Sequence, residues 1–160
     1  MTQYSFIIRR AELSDAPAIK EIMQLAFEKY AHDVKIPVDV DMEALTESIQ
    51  QIETDIRDKH VYIALVDGVA VGSLRVSINN DQTAYLTRFG VRSDYTNIGI
   101  GKALMSVVDK LIAEQNIQKL MLHTASTYSE LMRFYYGIGF HIDSTSKDRG
   151  YIRALLVKEY

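Results

Sequence analysis

An α/β fold, with helices on the faces of one mixed α+β sheet, is the class this sequence predicts, and three observations predict it. Alternating apolar runs flank Asp67-Gly68, a dipeptide suited to the left-handed positions of a tight hairpin. At Gly99 the apolar period changes to that of a helix, with Ile100, Leu104, Val107, Val108, Leu111 and Ile112 on one side. Another strand-like run, "QKLMLHT", follows, and two strands separated by a helix predict a parallel crossover.

The elements follow in order. "SFIIRRA" predicts a first strand, and Ser14 then caps a helix whose apolar stripe is Ile19, Ile22, Met23, Ala26, Phe27 and Tyr30. After the loop "HDVKIPVDVD", marked by Pro37, the residues Met42, Leu45, Ile49, Ile52 and Ile56 trace one second helix. "HVYIALV" and "VAVGSLRVSI" form the Asp67-Gly68 hairpin, and "TAYLTRFGV", after Asn79, Asn80 and Asp81, completes an antiparallel meander. The helix from Gly99 ends at Asn116, which suits a left-handed cap. Beyond "QKLMLHT", "YSELMRFYYGIGF" predicts a short helix stopped by Gly137 and Gly139. "FHIDSTS" and "YIRALLVKEY" then close a hairpin around Asp148-Arg149-Gly150. The predicted order is β-α-α-β-β-β-α-β-α-β-β in a single domain over residues 1–160, since no repeat, low-complexity tract or Pro/Ser/Gly-rich linker divides the chain.

Composition narrows the function. A net charge of −3 with scattered Lys and Arg argues against a nucleic-acid partner, because phosphate contact needs a concentrated basic face. The absence of cysteine rules out a disulfide frame, a thiolate metal site and a sulfur nucleophile, and no metal is expected. The N-terminus lacks the apolar core of a signal peptide, and no run approaches the roughly eighteen apolar residues of a membrane helix. A cytoplasmic protein without a membrane partner is therefore expected.

The stretch "YTNIGIGKAL" sets Gly99 and Gly101 where a β-like run gives way to a helix. A helix starting there leaves its first N–H groups unpaired at the positive end of its dipole, and glycine lets that backbone approach an anion closely. Lys102 adds a cation. The dinucleotide fingerprint fails at Leu104, where a third glycine is needed, and a Walker P-loop fails at Thr96 and Ala103. A tight strand-to-helix turn with no ligand would use the same glycines.

"VRSDYTNIGIGKALM", followed by "LMRFYYGIGF", resembles the GNAT superfamily of acyl-CoA-dependent N-acetyltransferases. That family's Gln/Arg-x-x-Gly-x-Gly/Ala pattern falls on Thr96 to Gly101, and its later signature falls on Phe134, Tyr135, Gly139 and Phe140. The resemblance implies acetyl-CoA as cosubstrate, with the amides of Asn97, Ile98, Gly99, Ile100, Gly101 and Lys102 on its pyrophosphate. It also implies that the pantetheine arm lies along Phe89, Gly90 and Val91, where the fourth strand bulges away from the fifth. Glycine at 90 fits either a bulge or a close backbone approach, and a simple twist point would also use it. Thr96 departs from the family's long polar residue, and Tyr128 and Leu131 stand where Asn and Ala are frequent.

The resemblance further implies direct attack of a primary amine on the thioester, with Tyr135 as general acid to the departing thiolate. Backbone N–H groups near Phe89 to Val91 could polarise the carbonyl. Many relatives carry a glutamate base where Thr87 stands, so a water chain or His123 is left as the base. Packing and hydrogen bonding would equally explain a lone strand histidine. His32 lies where the family admits its acceptor, and His60 and His141 read as structural. Between Asp33 and Asp55, seven carboxylates against Lys35 give net −6, which would favour a cationic acceptor such as a polyamine, an aminoglycoside or a lysine side chain; a solvated helix face has the same composition. Relatives are frequently homodimers, and Leu155, Leu156 and Val157 could serve an interface or a core. Two alternatives remain: a non-catalytic acyl-CoA-binding module of the same fold, and an NTP-binding protein using the glycine pair.

Overall fold

Residues 5–37, 40 and 42–160 are described by the structure, a computed structural model. The strands are β1 (Phe6–Arg10), β2 (His60–Val66), β3 (Val69–Ile78), β4 (Thr83–Val91), β5 (Lys119–Ala125), β6 (His141–Ser146) and β7 (Arg153–Glu159). The helices are α1 (Ala16–Val34), α2 (Glu43–Thr46), α3 (Ile49–Asp58), α4 (Ile100–Glu114) and α5 (Ser129–Gly137). One sheet runs in the order β1-β2-β3-β4-β5-β7-β6, antiparallel throughout except where β4 meets β5. Asp67 (φ 47°) and Gly68 (φ 82°) are both left-handed, as the predicted β2–β3 hairpin requires. The predicted Asn116 cap is left-handed too, at φ 54°.

The crossover to β5 is parallel, as predicted, but short. β4 and β5 pair through Thr83↔Lys119, Ala84↔Leu120 and Tyr85↔Met121, and share no pair beyond. β5 continues beside β7 to Ala125↔Arg153, so Leu86–Val91 and Leu122–Ala125 border a gap within the sheet. Backbone groups facing that gap have no strand partner, which makes it the natural place for an extended ligand.

Both faces are covered. Leu104, Val108 and Ile112 of α4 bury against Ala64, Leu74, Leu86, Leu120 and Leu156, while Ile19, Ile22 and Met23 of α1 and Ile52 of α3 bury against Val61 and Ile63. Alternation along each strand assigns one set to each face. Leu156 and Val157 are core residues and Leu155 is half-buried, so this strand's apolar content is largely accounted for inside the chain.

Two local expectations are corrected, and one that was open is decided. Ser14 does not cap α1: it lies in a single 3-10 turn, Leu13–Asp15, and Asp15 is the residue before the helix, with Asp15 Oδ2 accepting from the Glu12 N–H at 2.7 Å. The stripe from Met42 to Ile56 is two helices, because Ser48 and Gln51 exchange a reciprocal capping pair that starts α3 afresh. The sequence Ser-x-x-Gln carried that signal. The bulge in β4 falls on Arg88 rather than Gly90, as described below.

Candidate active site

On the α4 side, the approach to the helix is shaped by two left-handed residues, Asn97 (φ 65°) and Gly99 (φ 92°). Among the described residues, no backbone carbonyl accepts from the N–H groups of Asn97 through Lys102; the first to be engaged is Ala103, which donates to Gly99 at 3.0 Å. Six successive donors therefore sit at the positive end of a long helix. Ile100 is buried and Lys102 exposed. Gly101 is there for closeness: a Cβ would stand 3.3 Å from Phe89 and 3.4 Å from Phe134, whose rings stack at 5.7 Å. Thr96 donates its hydroxyl to the Ser93 carbonyl at 3.0 Å and so closes the loop from within.

The β4 bulge lies beside this loop. Ser73 pairs with Gly90 and Arg75 with Thr87, so Arg88 and Phe89 together oppose Leu74. Arg88 takes the left-handed conformation, at φ 53°. Of the readings open for Gly90, close approach holds: a Cβ there would meet Ala26 of α1 at 2.9 Å and Met23 at 3.3 Å. Phe89 and Val91 turn towards the α4 core.

Tyr135 of α5 is buried, with its ring edge-on to Phe134 and Phe140 at 5.4 and 5.5 Å. Its hydroxyl has no hydrogen bond among the described residues. Burial, and secondarily the nearby Tyr30 hydroxyl, push its pKa up, so the phenol holds its proton. Tyr30, from α1, accepts the Ala125 N–H at 2.8 Å and so occupies the β5 border of the gap. Tyr128 stacks on Tyr30 at 5.8 Å and donates to Asp33 at 2.7 Å. Lys29 first, and then Tyr128, hold the Asp33 carboxyl well below the usual carboxylate range.

His123 is hydrogen-bonded to the Tyr85 hydroxyl and half-buried. Burial, then the Arg153 guanidinium, lower its pKa, which keeps the imidazole neutral and able to accept a proton. Its strand neighbours Leu122 and Thr124 are buried, and Leu122 belongs to the α4 core, so His123 faces the α1–α3 side while Tyr135 lies on the α4 side. His32 is exposed beside Asp33 at 3.3 Å, His60 meets Arg10, and His141 lies 3.9 Å from Glu159. A cavity of about 330 Å³, lined by Val40, Glu43, Arg149 and Gly150, opens between the start of α2 and the β6–β7 turn.

Sequence reasoning missed Tyr30, read as one residue of a core stripe, and Tyr85 and Arg88, read as ordinary strand positions. It also missed the fate of the acidic run. Glu47 and Asp55 grip the fully buried Arg75, at 2.6 and 2.9 Å to Glu47 and 2.8 Å to Asp55. Two members of that run, at positions 39 and 41, lie outside the described residues.

A helix N-terminus with free amides, beside a split between parallel strands, makes an anion site next to a slot for an extended ligand. The sequence pattern described as "Acetyltransferase (GNAT) family" matches residues 18–140, and this chain belongs to that family. Solved structures agree in fold. PaiA N-acetyltransferase from Thermoplasma acidophilum, in complex with coenzyme A, superposes with a TM-score of 0.84 at 21% identity, over 98% of this chain and 99% of that one. The ribosomal-protein-S18-alanine N-acetyltransferase from Escherichia coli gives 0.76 at 15% identity, over 97% and 94%. The IAA acetyltransferase from Bacillus cereus gives 0.71 at 19% identity, over 98% and 100%.

Proposed function

We propose that this chain moves an acetyl group from acetyl-CoA to a primary amine by direct attack in a ternary complex. The observation that carries the reading is the run of six unengaged amides, Asn97 to Lys102, opening onto the gap between β4 and β5. The residues fit the group: the amides and Lys102 suit a pyrophosphate, and the absence of a Cβ at Gly101 leaves backbone accessible beside two aromatic rings. When bound, acetyl-CoA supplies a thioester carbonyl as electrophile and a thiolate as leaving group. The gap-facing backbone at Phe89 to Val91 then orients the arm and donates to the carbonyl oxygen. The Tyr135 hydroxyl holds the proton destined for the sulfur. His123, fixed by Tyr85, takes the proton from the amine, alone or through water.

The acceptor in this reading carries positive charge. With Glu47 and Asp55 committed to Arg75 and Asp33 paired with Lys29, the attraction rests on the stacked rings of Tyr30 and Tyr128, which can hold an ammonium by cation–π contact, and on Glu43 at the cavity rim. A polyamine, an aminoglycoside or a lysine side chain meets that description. A cytoplasmic setting goes with it, because a cysteine-free chain needs no oxidising compartment to fold. Calorimetric titration with acetyl-CoA and release of coenzyme A thiol over an amine panel test the proposal. Binding without turnover would instead make the chain an acyl-CoA-binding module, and stabilisation by ATP with magnesium alone would make it an NTP binder.

A further inference from the structure

We propose that Arg88 is a positioning residue: its ion pair with Glu47 holds β4 in the left-handed bulge that presents the Phe89–Val91 backbone to the gap. The inference rests on the acetyl-CoA reading and names a device of that same site. At φ 53° a residue with a Cβ is strained, whereas glycine adopts this conformation freely. The chain nevertheless places arginine there, in a strand whose pairing jumps from Thr87 to Gly90. Something must hold it. The Arg88 Nε lies 3.6 Å from Glu47 Oε2, and a terminal nitrogen lies 3.8 Å from Glu43 Oε2. These are ion-pair rather than hydrogen-bond distances, so charge does the holding.

Glu47 is a suitable anchor because it is buried and held at both its carboxylate and its backbone carbonyl. Its carboxylate takes both terminal nitrogens of the fully buried Arg75, which is itself fastened to Asp55 of α3. The Glu47 carbonyl accepts from Lys20 of α1, and the next residue, Ser48, caps α3. The bulge is thus tied through one residue, by its carboxylate, its carbonyl and its place between α2 and α3, to three helices on one side of the sheet. Bulges re-aim backbone next to active sites, and this one borders the stretch of β4 that has lost its β5 partner.

The test compares Arg88→Ala with Arg88→Gly. Acetyl-CoA labelled with ¹³C at the thioester carbonyl is bound to each protein, and the carbonyl infrared band is compared with that of free acetyl-CoA. The wild type is expected to lower the band. Arg88→Ala, strained and untied, is expected to lose most of that lowering and to release thiol in single turnovers with spermidine, kanamycin or lysine about tenfold more slowly or worse. Arg88→Gly, which needs no tie to adopt the bulge, is expected to keep the lowered band and a rate within about threefold of wild type. Glu47→Gln should resemble Arg88→Ala; if it fails to fold, the arginine pair still decides. A wild-type band in Arg88→Ala would overturn the proposal, as would equal rate losses in both variants with the band unmoved, since the side chain would then act on the acceptor. A wild-type protein that gives no heat with acetyl-CoA would overturn the acetyltransferase reading itself, and this inference with it.

Discussion

Around the start of α4 the site is made of backbone, with six free amides, a glycine pressed against two phenylalanines and little charge beyond Lys102. Across the gap, beneath α1 to α3, it is made of side chains: Tyr30 on the Ala125 amide, Tyr128 on Asp33, Tyr85 on His123, and two carboxylates on Arg75. The difference separates two tasks. Amide donors recognise one fixed chemical group whatever side chains surround them, which suits a common donor. Phenols and charges can be exchanged residue by residue, which suits an acceptor that differs between relatives.

Substitutions can break this contrast. The largest expected effect is on stability: Glu47→Ala leaves the buried Arg75 guanidinium with Asp55 alone and should cost about 3–5 kcal/mol in denaturant unfolding. Tyr135→Phe removes a proton donor that makes no hydrogen bond within the described residues, so kcat should fall about a hundredfold while the melting temperature stays nearly unchanged. An unchanged kcat would remove Tyr135 from the chemistry. Gly101→Val crowds Phe89 and Phe134 on the backbone side, and should weaken acetyl-CoA in calorimetry by about tenfold or more without changing the amine preference.

His123→Asn tests the side-chain half. Since its pKa lies below the usual 6.5, the wild-type rate should hold above that pH and fall as acid protonates the imidazole; the variant should lose this limb and about tenfold in rate at pH 8. Tyr30→Phe has the smallest expected effect, about 1 kcal/mol, because it takes the hydroxyl acceptor from the Ala125 amide. Hydrogen exchange at Ala125 should report it directly.

What was legible follows the same divide. The β2–β3 hairpin, α4 and its glycine approach are written in neighbouring residues, so Asp67-Gly68 and Gly99 announced them. Arg75 meets Asp55 twenty residues away and Glu47 twenty-eight away, and Tyr30 meets Ala125 ninety-five away. No local pattern encodes such partners, so an acidic run that read equally as a groove lining or a solvated helix face turned out to be partly an internal clasp. The bulge at Arg88 was hidden for a related reason: arginine carries no preference for a left-handed backbone, and only its distant partner accounts for it. Glu47-Ser48 is a different case, since the capping pair with Gln51 was local and was simply masked by the apolar stripe running through it.

Among the described residues, the β1–β4 leaf meets the β5–β7 leaf along the sheet only at the three rungs that join β4 to β5 and at the Gln118 N–H, which donates to the Gln82 carbonyl at 2.8 Å just before them. Whatever lodges in the notch beyond them touches both leaves at once and acts as mortar. Donor binding should therefore slow exchange of the β7 amides together with those of β4, adding a tie within the sheet to the α4 core that already spans both leaves.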